Sequence, residues 1–466
     1  MSSLSPASFD SRPFFSNLGR QHGFEDVPVT GRISQGLEGT LYRSGPGIIE
    51  QLGRRYDHLF EGDGAMTAVR ISGGRAQLAT RVLQTQGLVE EQAAGRHLGS
   101  FAASWPDRLR RIHGGGMKNT ANTSPLHWQG RLFALMEGGK PTEVDPDTLA
   151  CLGERDLGGV VPGAFSAHPC RVASRRCTYN FGLRYGKQTL LDLFALPDDG
   201  PARLLGSVPL AAPVMLHDFG ATDNHLIFFI SPVELVTWRM LLGLRPFQDM
   251  FRWTPSSGTE VIVVPIDNPA AVQRFRVDPF MQFHFAGAVE DRGELVVDYV
   301  RYPDSALLWA LGSGAGLSLT DASSRAPGGR LHRARIDPVR HRFTSEPLWD
   351  GDCEFPRVID TPGGGRRTWL QSEVVVDGVL RFQISRLDPD GQMHHHRLAP
   401  GAIASEPVPV GDDLVMTLVF DCARGKSRVL VLGAESLKPV AEIDLQQAIP
   451  ITFHGVWVDG VRDRGA

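Results

Sequence analysis

The run HLIFFI, residues His225–Ile230, is apolar, has strand length and mixes β-branched with aromatic side chains, so it reads as a buried β-strand. The same signature recurs at 131–136 (RLFALM), 260–266 (EVIVVPI), 294–299 (ELVVDY), 414–419 (LVMTLV) and 428–432 (RVLVL). Between these runs 52 glycines and 32 prolines punctuate the chain every few residues, and few long helical periods compete with them. Strands that recur over more than 400 of 466 residues without a low-complexity linker point to an all-β chain built by radial repetition of small sheets, which limits exposed edges. A β-propeller forming one domain over residues 1–466 is the expectation. No tryptophan-aspartate or kelch-like signature repeats at a fixed period, so the pattern alone does not set the number of blades.

Composition narrows the function classes. Forty-eight basic and 52 acidic residues leave a formal net charge of -4, which disfavours an electrostatic role on nucleic acid. The five cysteines, Cys151, Cys170, Cys177, Cys353 and Cys422, are odd in number and form no C-x-x-C pair, so neither a disulfide framework nor a zinc ribbon is expected. Residues 1–15 lack a basic segment followed by an apolar one, and eighteen apolar residues nowhere run together. A cytoplasmic chain without a membrane span or an obligate protein partner is the expectation. One segment departs from the strand pattern. In residues 234–253 (ELVTWRMLLGLRPFQDMFRW), Leu235, Trp238 and Leu242 share a helical face beside Arg239 and Arg245. It reads as a helix packed on the propeller, or as an interfacial element making peripheral membrane contact through which a lipid-soluble substrate passes.

Fifteen histidines are present. His394, His395 and His396 follow Pro389-Asp390-Gly391 and read as a solvated turn. His168, His217, His284 and His454 stand in the contexts AHP, LHD, FHF and FHG. A lone histidine beside an apolar residue is more often a hydrogen-bonded core residue than a ligand. Their separations of roughly 50, 70 and 170 residues are far from the compact spacing of a helical zinc site, so they converge only if the fold returns repeatedly to one axis. A propeller does so.

The surrounding motifs decide the matter. GTLYRSGPG (39–47), HLFEGDG (58–64), KNTANT (118–123), LMEGG (135–139), AHP (167–169), VMLHDF (214–219), FH (283–284), EFPR (354–357), SEP (405–407) and FHG (453–455) occur in an order that resembles the carotenoid cleavage oxygenases over nearly the whole chain. The resemblance implies a seven-bladed propeller with a loop and short-helix cap over an axial ferrous iron held by His168, His217, His284 and His454. Four neutral imidazoles leave the metal its full positive charge and, in an octahedral shell, two positions for dioxygen or water. The resemblance further implies that Glu137, Glu354 and Glu406 accept the ring N–H of three of the histidines and so fix tautomer and direction. His168 is expected to lack such a partner. His58 and Asp63 are read as structural, the aspartate satisfying the backbone of its own glycine-rich turn.

The implied reaction is oxidative scission of one C=C bond to two aldehyde or ketone fragments, with O2 as co-substrate, Fe2+ as metal and no organic cofactor. Phe101 and Met136 stand where a stilbene-cleaving branch of the family looks recognisable by a tyrosine and a lysine that engage the phenol. Neither can move a proton, which favours a lipophilic polyene, a carotenoid or apocarotenoid, over a hydroxystilbene. Phe101, Trp105, Met136, Phe165, Phe219 and Phe285 are candidate tunnel walls, against the default that aromatics at strand spacing pack in a core. After His284 the chain reads FAGAV, where many relatives carry a second histidine and an asparagine, so polar support of that ligand is expected to differ. The alternatives are a stilbene-cleaving enzyme of the same family and a non-catalytic propeller scaffold that binds no iron.

Overall fold

Seven antiparallel sheets stand in a ring in the computed structural model, which describes residues 9–99, 106–107, 118–236, 239, 247–312, 328–360 and 365–460. Blades two to six each run in sequence order through four strands, beginning with Ser124–Trp128, Cys170–Val172, Gly220–Ala221, Met281–Asp291 and Cys353–Asp360, and blade four is interrupted by the ribbon Val233–Leu235 and Phe251–Trp253. In blade seven the strand Leu414–Asp421 pairs on one side with two short pieces, Ala402–Ala404 and Val408–Val410. Glu406 lies in the break between those pieces.

The ring is closed twice, by both ends of the described chain. Val29–Gly31 adds the outermost strand of blade seven by pairing with Pro439–Asp444. Gly455–Asp459 adds the innermost strand of blade one by pairing with Gly39–Ile48, Arg43 opposite Gly455 and Gly39 opposite Asp459. Gly45 is required at this seam because a Cβ there would run into the carbonyl of Ile451. Ser44 N–H donates to His454 O at 3.0 Å and Phe453 N–H to Ser44 O at 2.8 Å, so the seam ends at the histidine.

Period-two alternation explains the continuous apolar runs. Along His225–Ile230, Leu226, Phe228 and Ile230 pack into the interface with blade three, and Ile227 and Phe229 into the interface with blade five. A central strand covered on both faces has no polar side to show. Each such side chain contributes about 1.5–3 kcal/mol by burial. Leu430 and Leu432 likewise face blade six, and Val429 and Val431 face blade one. All seven junctions between neighbouring blades are filled this way.

Short helices supplement the sheets: Gln86–Ala94, capped by Thr85 and ended by left-handed Gly95, and Ala306–Gly312, whose Leu308 packs with Met281, Phe283 and Tyr302. His58 caps the 3-10 turn Leu59–Glu61, its Nδ1 accepting from Phe60 N–H at 3.1 Å. Asp63 corrects the sequence reading. Rather than satisfying its own turn, it lies 2.6 Å from Lys118 Nζ and accepts from Tyr56 OH at 3.1 Å. Lys118 also meets Glu91 Oε2 at 2.8 Å, because two buried carboxylates require a buried cation. The HLFEGDG turn, the KNTANT stretch and the helix Gln86–Ala94 are thereby pinned together.

Two further expectations are revised. His394, His395 and His396 lie in the outermost strand of blade six, Met393–Arg397, rather than in a turn, and His395 Nδ1 lies 2.7 Å from Ser385 Oγ on the adjoining strand. The ends of 234–253 are strands rather than helix, since Val233–Leu235 pairs with Phe251–Trp253 and this ribbon covers Met281 and Phe283. Trp238, Leu242 and Arg245 lie outside the described residues. No helix among the described residues is long and apolar enough to cross a membrane, and all five cysteines are unpaired thiols.

Lys118→Met leaves Asp63 and Glu91 buried without their cation and is expected to lower stability by about 3–5 kcal/mol. Chemical denaturation followed by tryptophan fluorescence measures this, and an unchanged midpoint would remove the cluster from any structural role.

Candidate metal centre

At six of the seven junctions the innermost strands of neighbouring blades lie against one another. Each of the four histidines sits at or just before such a strand. His168 precedes Cys170–Val172, His217 precedes Gly220–Ala221, and His454 precedes Gly455–Asp459. His284 lies inside Met281–Asp291, where the pairing register shifts between Gln282 and Phe285, an irregularity that re-aims a side chain out of the ladder. One ring nitrogen of each histidine falls within 4.8 Å of those of the other three. His217 Nε2 and His284 Nε2 are 3.2 Å apart.

Three carboxylates stand behind three of the rings. His284 Nδ1 donates to Glu354 Oε2 at 2.5 Å and His454 Nδ1 to Glu406 Oε1 at 2.9 Å. His217 Nδ1 meets Glu137 Oε1. A proton held on Nδ1 leaves the Nε2 lone pair free and pointing away from the carboxylate. His168 has no carboxylate, and its buried Nε2 has no hydrogen-bond partner among the described residues. Burial first, and then the other three histidines, push its pKa well below the ordinary histidine value. Converging lone pairs with no donor between them repel one another. This donor set fits one cation bound by imidazole nitrogens.

The carboxylates are themselves held. Glu406 Oε1 also accepts from Arg357 Nε at 2.8 Å, and Oε2 from Gly455 N–H at 2.7 Å. Burial alone would raise its pKa, but Arg357, His454 and Arg43 outweigh this and keep it below the usual carboxylate range. Glu354 accepts from Phe355 N–H at 2.8 Å and from the Tyr302 hydroxyl. Burial opposes its ionisation too, and His284 and Tyr302 overcome that. Phe355, at φ +52°, occupies the left-handed region, and its N–H bond to Glu354 fixes that strained backbone. Asp218, next to His217, accepts from Phe219 N–H and Phe285 N–H, each at 2.7 Å, yet burial lifts its pKa to about 7.

Aromatic rings surround the histidines. Phe283 lies 4.0 Å from His217 between centroids, and Phe355 sits 5.3 Å from His284 and 5.4 Å from His454. Phe60 stacks over His217 at 6.3 Å and meets Phe453 edge-on. These positions, with Arg43, Tyr302 and Arg357, were not singled out from the sequence. Arg43, Phe60, Phe355 and Arg357 do sit inside the ordered motifs, and Phe283 adjoins a candidate ligand. Tyr302 carries no such signal, since only the pairing of its strand with Met281 brings it to Glu354.

Three of the candidate tunnel aromatics fill the junctions between blades. Phe165 packs on Phe194 between blades two and three, Phe219 on Phe228 between blades three and four, and Phe285 on Phe229 between blades four and five. Strand alternation turns Phe285, next to His284 on Met281–Asp291, into its junction, whereas Phe165 and Phe219 lie in the connections before Cys170–Val172 and Gly220–Ala221. Met136 is partly exposed and its sulfur accepts from Thr120 N–H at 3.3 Å. Phe101 and Trp105 lie outside the described residues.

Residues 15–459 match the family described as retinal pigment epithelial membrane protein. The chain is 30% identical over 491 aligned positions to the apocarotenoid-15,15'-oxygenase of Synechocystis sp., spanning 97% of this chain and 98% of that one. It is 32% identical to resveratrol cleavage oxygenase 1 of Chaetomium globosum, over 63% of this chain and 51% of the relative. The cobalt-substituted Synechocystis oxygenase superposes with a TM-score of 0.84 at 28% identity, covering 99% of this chain and all of that one.

The site has a definite pH dependence. Burial lowers the pKa of both His58 and His454 from 6.5 to about 4. The unfolded chain therefore binds more protons than the folded one between those values. The contribution of these two groups to the stability of the metal-free protein, complete above pH 6.5, is expected to be lost as pH drops toward 4 by on the order of 3 kcal/mol each; His168, lowered in the same way, adds to that loss, and Asp218, raised to about 7, offsets part of it. Urea midpoints of chelator-treated protein at pH 7.5 and pH 5 test this, and equal midpoints would contradict it.

Proposed function

The chain belongs to the carotenoid cleavage oxygenase family, and from that membership we propose that it is a non-haem iron(II) dioxygenase cleaving one C=C bond of an apocarotenoid or carotenoid to two carbonyl fragments. The observation that carries this reading is the convergence of His168, His217, His284 and His454 with carboxylates behind three of them. These four side chains would hold ferrous iron through neutral imidazole nitrogen. Bound there, the metal supplies the redox activation of dioxygen that a closed-shell zinc ion cannot.

The chain's own residues do the rest. Glu137, Glu354 and Glu406 hold a proton on the outer nitrogen of their histidines, keeping each ring neutral and aimed. Phe60, Phe283 and Phe355 exclude water around the rings and leave an apolar surface suited to a polyene. Beside Glu137, Met136 can neither accept nor donate a proton, which supports a substrate without a phenol. Free thiols at all five cysteines support a reducing, cytoplasmic setting. The 234–253 segment would make the peripheral membrane contact through which a lipophilic substrate arrives, and failure of the protein to float with liposomes of any composition would reject that part.

Protein purified without oxygen is expected to carry about one iron per chain, and His217→Ala to lose both the iron and the cleavage activity. Elemental analysis below about half an equivalent, with His217→Ala leaving every measured property unchanged, would favour a binding scaffold over an enzyme. Product masses from a panel of carotenoids, apocarotenals and hydroxystilbenes decide the substrate. Cleavage of a hydroxystilbene alone would overturn the inference from Met136.

A further inference from the structure

The three carboxylate-backed corners are not equally built. Glu137 meets His217 with its side chain 28% exposed, and no guanidinium pairs with it among the described residues. Glu354 is held by a phenol and an amide. Glu406, 2% exposed, lies between two arginines. Arg357 donates from Nε to Glu406 Oε1 at 2.8 Å, the oxygen that receives His454 Nδ1, and from Nη2 to Gly455 O at 2.9 Å. Arg43 donates to Glu406 O at 2.9 Å, to Phe453 O at 3.1 Å and to Thr452 Oγ1 at 3.0 Å. Every residue from Thr452 to Gly455 is thus gripped by one of the two guanidinium groups or by the carboxylate they flank.

The asymmetry has a physical reason. His168 and His217 shortly precede, and His284 lies on, a strand whose partner follows directly in sequence, so a hairpin anchors the chain beside each. His454 immediately precedes a strand whose partner, Gly39–Ile48, is about 400 residues away, and no local turn sets its register. We propose that Arg357 is a positioning residue for His454: acting through Glu406 and Gly455 O, it locks the ring-closing strand in the register that presents the fourth imidazole to the metal. The planar fork of arginine bridges a carboxylate and a carbonyl at once, which a lysine ammonium on a flexible stem does less well.

This rests on the four-histidine metal site proposed above, and its test separates the two. Affinity for Co2+ and, without oxygen, Fe2+ is measured by chelator competition, together with the rise in Tm on metal loading, for the unsubstituted chain, R357Q, R357K, E406Q, E137Q and the double variants R357Q/E406Q and R357Q/E137Q. R357Q is expected to weaken metal binding about tenfold or more and to shrink the metal-induced rise in Tm, with R357K between it and the unsubstituted chain. R357Q/E406Q should bind no more weakly than E406Q, because both changes cut one route, whereas R357Q and E137Q should add.

If the unsubstituted chain binds no metal, the metal site itself fails. If it binds and R357Q binds equally well, the positioning role is overturned while the site stands. A Tm lowered equally in metal-free and loaded R357Q, at unchanged affinity, would mark Arg357 as a structural pin and also overturn the proposal. Should R357Q not fold, R357K carries the test, and unsubstituted affinity in R357K would reject the two-acceptor geometry.

Discussion

The pairing of Gly39–Ile48 with Gly455–Asp459 is the constraint on which the rest of the structure depends. Without it blade one has no innermost strand and His454 has no fixed place. The five strand partners from Arg43–Gly455 to Gly39–Asp459 span the whole length of the closing strand. Their loop-closure cost grows only slowly with loop length, so joining residues about 400 apart is tolerable once the junctions between blades hold the ends near each other. The apolar filling of those junctions does that. Closure comes at the end of the assembly logic, and the candidate metal site is completed at the same step.

The electrostatics of the site follow from its place near the axis. Glu354 and Glu406 each resist ionisation by burial and each is kept ionised by specific donors. Buried carboxylates that served only as structural anions would be better replaced by apolar side chains. Here each is matched to a histidine Nδ1 of the candidate site. His168, without a carboxylate, lies within ring-centroid distances of 4.3 to 5.2 Å of the other three and completes the set by packing rather than by a paired anion.

The blades were legible because a strand covered on both faces must be continuously apolar, and HLIFFI, EVIVVPI and RVLVL are that. The closing strands were not, since Val29–Gly31 and Gly455–Asp459 are short and carry no periodic pattern. The candidate ligands were legible only through their neighbours: nothing in the spacing of the histidines says that they meet, but the order of motifs around them does. What lies one contact further out divides along the same line. Arg43 and Arg357 sat in quoted motifs without an assigned role, while Tyr302 reaches Glu354 only through ladder register. The apolar, aromatic and basic pattern of 234–253 suggested a helix. Its ends are instead a ribbon, because Val233, Phe251 and Trp253 find cover against Met281 and Phe283, and burial overrides local periodicity.

A site made of residues from positions 168, 217, 284 and 454 does not exist in the unfolded chain. Any free energy of metal binding is therefore also free energy of folding, delivered to the contacts the ligands share. Three of the histidines lie at or just before strands already held by hairpins, so metal binding would add little order there. The fourth immediately precedes the strand that closes the ring. An ion bound by the four histidines would act as a fastener at the one seam that sequence proximity cannot secure, with Glu406 and its two arginines as the mechanical link between them.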